Sequence, residues 1–165
     1  LTRFISTGKL EPKETIPSVA PSMDIQIPSS LERLIYNFEG DASSFYDQLQ
    51  NEKIAKLSEE SVVKLQNIFS SLSFNDEMIL KEIDLFYKNY GWVIDPHTAT
   101  ALSSSVTFSS NLPVVGVATA SPEKFSDVIS KTIDEFRVEN TKNEEKYFVQ
   151  KANSSLVENT IKECL

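Results

Sequence analysis

The sequence is poor in the residues that most often build cofactor and metal sites. Its four glycines, Gly8, Gly40, Gly91 and Gly116, each stand alone, so there is no glycine-rich loop to wrap a phosphate with backbone amides. A phosphate-bearing cofactor is therefore not held by this chain alone. Its one histidine, His97, and its one cysteine, Cys164, lie far apart in the chain. That spacing argues against a metal cluster and offers no cysteine–histidine pair with an orienting third group. A lone cysteine makes no internal disulfide, which points to a reducing compartment and a cytoplasmic location. Bases are outnumbered by acids, 16 to 24, for a net charge of −8. With no cluster of Lys or Arg, a nucleic-acid or anionic-membrane surface is not expected. No apolar run approaches the ~18 residues of a membrane span, and no signal-peptide pattern opens the chain. The chain begins at Leu1 rather than Met, which suggests a piece of something longer.

What is present is enough for a core. With 165 residues and 40% hydrophobic content, one domain can bury about 70% of its unfolded surface. Residues 1–9 read as the end of a helix, with Leu1, Phe4 and Ile5 on one face and Gly8 as its stop. Pro12, Pro17 and Pro21 then make Lys9 to Ser22 a connector without regular structure. Ser29 and Glu32 form a capping-box pattern ahead of an apolar face of Leu31, Leu34, Ile35 and Phe38, which Gly40 ends. Helical spacing continues over 43–53 and 58–69. Asn75 caps the longest helix, whose stripe runs through Ile79, Ile83, Phe86, Tyr87 and Tyr90 to the stop at Gly91. From there the pattern alternates strand, helix, strand, helix to residue 136. This alternation argues for an α/β fold with a short parallel sheet, an all-helical insertion at about 43–73 and a tail helix at about 153–164.

The stretch from Trp92 to Phe125 is the place to look for function. Pro113 to Ala118 reads as a buried parallel strand, a β-branched apolar run with no polar residue before Thr119. Thr119 thus falls at a strand's carboxyl end, the edge where ligands bind in open α/β sheets. Ser121 and Pro122 follow as N-cap and first helical residue. Upstream, Trp92-Val93-Ile94 is a shorter apolar run, followed by Asp95 as cap, Pro96 in the first turn, and His97, Thr98 and Ala99.

These residues carry a family resemblance. Asp95-Pro96-His97-Thr98-Ala99, then Thr119-Ala120-Ser121-Pro122-Glu123-Lys124-Phe125, preceded by Pro21-Ser22-Met23-Asp24-Ile25, resemble the C-terminal part of threonine synthase. Arg3-Phe4-Ile5 with Gly8 resembles the segment before them, so the likeness spans roughly 1–135. Two departures stand out: the family usually has His where Ser121 stands, and Asn-Phe where Ser30-Leu31 stand. The resemblance implies a three-layer α/β fragment of the large domain of a fold-type II pyridoxal-phosphate enzyme. It also implies the reaction: O-phosphohomoserine and water give threonine and inorganic phosphate, with pyridoxal 5'-phosphate as cofactor in the complete enzyme. No lysine here matches the family's Schiff-base lysine. That residue and the phosphate loop are expected in the N-terminal part of the same enzyme, which makes that part a partner and leaves this chain with no catalytic residue and no activity alone.

Individual residues keep two readings. Thr119 caps the following helix, or, as the resemblance implies, sets its hydroxyl against the pyridine nitrogen of the cofactor. His97 orders its own cap turn or faces the crevice, and Thr98 and Ser121 are further crevice candidates. Asp95 is a cap or a substrate contact, and Lys124 a solvated residue or a phosphate ligand. Two other functional classes stand beside threonine synthase: a non-catalytic acidic module or truncated paralogue, and a related phospho-lyase of the same fold.

Overall fold

The computed structural model describes residues 1–108, 112–138, 151 and 153–164. Within them the chain is mostly helical and is organised on two apolar cores. The first belongs to α1 (Thr2–Thr7), α2 (Leu31–Glu39), α3 (Ser43–Glu52) and α4 (Glu59–Ile68). Phe4, Ile35 and Leu65 are its largest fully buried residues, and the Phe4 and Phe45 rings meet edge to face at 6.2 Å. Two short strands, β1 (Lys9–Leu10) and β2 (Ala55–Lys56), pair antiparallel with Leu10 opposite Ala55 and tie α1 to the α3–α4 connection. Gly8 stops α1 at φ +68°, where a side chain would be strained, and its carbonyl accepts from Leu57 N–H at 2.9 Å.

The second core is built by α5 (Asp76–Tyr90), α6 (Pro96–Thr107) and α7 (Ser126–Ile129). The α5 stripe buries Ile79 and Ile83, with Phe86 and Tyr87 packed alongside. Ala20, Ile94, Ala99, Ile129 and Ile133 complete it. Asn75 caps α5 by accepting from Met78 N–H, and Gly91 ends it in the left-handed region, as the sequence reading had it. The tail helix is α8 (Ser154–Cys164). Among the described residues no helix is long and apolar enough to cross a membrane.

Five expectations need correction. No parallel strand pair forms among the described residues, whose one sheet is β1–β2. Trp92 to Ile94 and Pro113 to Thr119 take no regular structure, and the supposed central strand is exposed, Val115 at 81% and Val117 at 67%. A strand needs a neighbour for its backbone donors and acceptors, and these residues offer none beside it. The Ser29–Glu32 capping box is not made: α2 begins after Ser30, whose backbone is already helical, and the entry is closed by Leu31 N–H donating to Pro28 O at 3.1 Å. The connector is more regular than its prolines imply, since it holds β1 and a 3-10 turn at Pro21–Met23. The 43–73 stretch is not all helical, because β2 lies within it.

Candidate functional site

The local sequence builds the site from the start of α6. Asp95 has extended backbone (φ −78°, ψ 162°), and its Oδ1 accepts from His97 N–H at 2.9 Å, so it is the cap that Asp-Pro predicts. The same Oδ1 lies 2.9 Å from His97 Nδ1, while Oδ2 accepts the Thr98 hydroxyl. Asp95 is 1% exposed. A carboxylate so buried is tolerated because each of its oxygens has donors.

His97 is held on every side. Its Nε2 accepts from Ser22 N–H at 3.2 Å. A nitrogen that accepts carries no proton, so the neutral ring has its hydrogen on Nδ1 and donates it to Asp95. The ring packs on Phe125 with centroids 4.8 Å apart. Its backbone carbonyl accepts the Thr100 hydroxyl at 2.7 Å, and the same hydroxyl lies 3.7 Å from Met23 Sδ. The 3-10 turn carrying Ser22 and Met23 is pinned in turn: Asp24 accepts Ser18 N–H at 2.7 Å and the Ser18 hydroxyl at 2.8 Å. Val19 N–H donates to Asp76 Oδ1 at 3.1 Å, which fastens the connector to the start of α5.

Three stretches far apart in the chain, 21–24, 95–100 and 121–125, therefore meet around one imidazole. Sequence reasoning named all three stretches without foreseeing that His97 joins them; Ser22, Met23 and Phe125 were the contacts it missed. Thr98 and Ser121 lie within this junction. Thr98 is buried with its hydroxyl on Asp95, and Ser121 is half-buried at the head of a 3-10 turn, Pro122–Phe125, without a side-chain cap bond. Lys124 is exposed on that turn.

Thr119 stands two residues before Ser121 and is exposed. Its hydroxyl makes no hydrogen bond among the described residues. It thus does not cap the following turn, which was the alternative reading. The preceding segment lies against α6, since a Cβ placed on Gly116 would stand 3.3 Å from Leu102 Cδ2. Two hollows lie elsewhere, one of about 320 Å³ beside Arg33 and Tyr36 and one of about 230 Å³ beside Asp41 and Lys56. Among the described residues no three His, Cys, Asp or Glu gather into a metal-binding group.

Comparison with known proteins places the chain in a family. No protein-family model matches the chain. Threonine synthase of Pseudomonas aeruginosa is 31% identical over 137 residues, which cover 79% of this chain and 29% of that protein. Threonine synthase-like 1 of Macaca fascicularis is 28% identical over 93% of this chain and 22% of its own length. The crystal structure of pyridoxal-phosphate-bound threonine synthase from Brucella melitensis superposes with a TM-score of 0.80 at 24% identity, over 98% of this chain and 37% of that one. The yeast enzyme gives a TM-score of 0.76 at 22% identity, over 99% of this chain and 39% of its own. The chain thus has the fold of those structures and spans under two fifths of the length of each of these four proteins. With that identity and coverage, the chain belongs to the threonine synthase family.

Proposed function

We propose that this chain is the C-terminal part of a threonine synthase, within the large domain of a three-layer, fold-type II enzyme. There it forms one wall of a site that turns O-phosphohomoserine and water into threonine and phosphate. The observation that carries the reading is the convergence of the three motif stretches around His97, with the unpaired, exposed Thr119 hydroxyl at their edge. The residues present fit one edge of pyridoxal phosphate. A free hydroxyl can donate to an unprotonated ring nitrogen, and the exposed valines before it offer apolar surface to a ring. The four scattered glycines offer no cradle for the phosphate, so phosphate and lysine contacts fall to the N-terminal part of the same enzyme. When bound, the cofactor supplies an electron sink for carbanion chemistry at the substrate. Thr119 contributes a neutral donor that leaves the ring nitrogen without the proton a carboxylate would favour. The apolar segment 113–118, exposed in this chain, is the edge on which the N-terminal part completes a parallel sheet, and 43–73 is an insertion beside it. The reaction and its cofactor belong to the cytoplasm.

The test is a titration of pyridoxal phosphate against the complete protein and its variants. Thr119→Val keeps the β-branched shape and deletes the donor, so affinity falls about tenfold to a hundredfold, and Thr119→Ser restores most of it. A Val variant with parental affinity removes Thr119 from the site. Kinship to threonine synthase-like 1, together with Ser121 in place of the family's usual His, favours one second reading. It is a related phospho-lyase of the same fold, acting on another phosphorylated amino compound; its mark is phosphate release from such a compound and none from O-phosphohomoserine.

A further inference from the structure

Thr119 is exposed and makes no hydrogen bond of its own, yet a group that meets a cofactor ring must be held in place. Two attachments to α6 bracket it. Three residues upstream, Gly116 lies against Leu102 closely enough that a Cβ there would sit 3.3 Å from Leu102 Cδ2. Downstream, Phe125 of the 3-10 turn packs on the His97 ring at 4.8 Å. Between Thr119 and Phe125, Pro122 fixes one backbone angle and Lys124 N–H donates to Ser121 O at 3.2 Å, so the linker is short and closed on itself.

His97 is itself set by two bonds that oblige each other. Asp95 Oδ1 takes the Nδ1 proton, which leaves the Nε2 lone pair for Ser22 N–H. Rotating the ring to relax against Phe125 would break both. We infer that His97 is a positioning residue: by locking its ring between Asp95 and Ser22 it seats Phe125, and through the 122–125 turn it holds Thr119 at the place where the cofactor ring nitrogen arrives. This rests on the reading of Thr119 given above and assigns His97 no contact with cofactor or substrate. It also gives a physical reason for a buried histidine in a cap turn that Asp95 already satisfies.

A double-mutant cycle on pyridoxal phosphate affinity in the complete protein tests it, combining Thr119→Val with His97→Asn and with His97→Gln. Asn can keep the bond to Asp95 but leaves Ser22 N–H unpaired and removes the face under Phe125. Gln can still reach Ser22 with its carbonyl oxygen. His97→Asn alone should weaken affinity about tenfold and His97→Gln less, while in the Thr119→Val background His97→Asn should add almost nothing, because coupled groups are non-additive. Thermal melts of the same variants report the purely structural cost, which is expected to be the same in both backgrounds. Additive losses, or a His97→Asn variant that melts lower but binds the cofactor as the parent does, overturn the positioning role and leave Thr119 at the ring. Parental affinity in Thr119→Val overturns both.

Discussion

Replacing Asp95 with alanine tests the junction at its most loaded point. The side chain is 1% exposed and serves three donors: His97 N–H at 2.9 Å, His97 Nδ1–H at 2.9 Å, and the Thr98 hydroxyl. Loss of the cap bond costs about 1 kcal/mol. Leaving the Nδ1–H buried and unpaired costs about 1–3 kcal/mol, while the Thr98 hydroxyl can rotate toward a backbone carbonyl and loses less. Removing a buried carboxylate also relieves its desolvation, so the net loss is about 3 kcal/mol. For a chain of this size that is a fall in Tm of roughly 6–12 °C. Asp95→Asn keeps an acceptor at Oδ1 and should lose about 1 kcal/mol or less. Urea denaturation of 1–165, followed by circular dichroism and by the fluorescence of Trp92, the sole tryptophan and three residues before Asp95, measures both. If Asp95→Ala unfolds within about 0.5 kcal/mol of the parent, the carboxylate does not organise the start of α6, and the argument from its three donors fails.

Two further outcomes follow from packing. Gly8→Ala should destabilise by about 2–3 kcal/mol, since it adds strain at φ +68° to a Cβ that would lie 2.2 Å from Val62 Cγ2, whereas Gly40→Ala, with nothing within 4 Å, should lose only about 1 kcal/mol. Equal losses in parallel melts would contradict the close approach of α1 and α4. Val115→Asp should shift the stability of 1–165 by no more than about 0.5 kcal/mol, because Val115 is 81% exposed. In the complete protein the same change, made on the edge proposed to complete a sheet, should cost several kcal/mol; comparable melting shifts in the two proteins would refute that edge.

The helices were legible because their signals are local. Asn75, Asp95, Gly8, Gly40 and Gly91 each act within a turn of where they stand, and the stripe of Ile79 and Ile83 needs only a partner face. The sheet was misread for the opposite reason. Val114, Val115 and Val117 have the composition of a buried strand, but composition cannot say whether a pairing strand lies beside it, and among the described residues none does. The capping box failed because Ser30, one residue past the expected cap, took helical backbone and left the entry to a backbone bond. At the site, Asp95 could be assigned from the Asp-Pro pair alone. The role of His97 could not, since its partners Ser22 and Phe125 stand 75 and 28 positions away, and such contacts arise only from the fold.

The most direct test of the account is phosphate release from O-phosphohomoserine, measured with pyridoxal phosphate present, for the complete protein and for residues 1–165 alone. The complete protein should release phosphate and form threonine in equal amounts. Residues 1–165 should release none and should show no visible absorbance of a lysine-bound cofactor, because none of the contacts described here supplies the lysine or the phosphate cradle. Phosphate release by 1–165 alone, or a complete protein that binds the cofactor and leaves O-phosphohomoserine untouched, would contradict it.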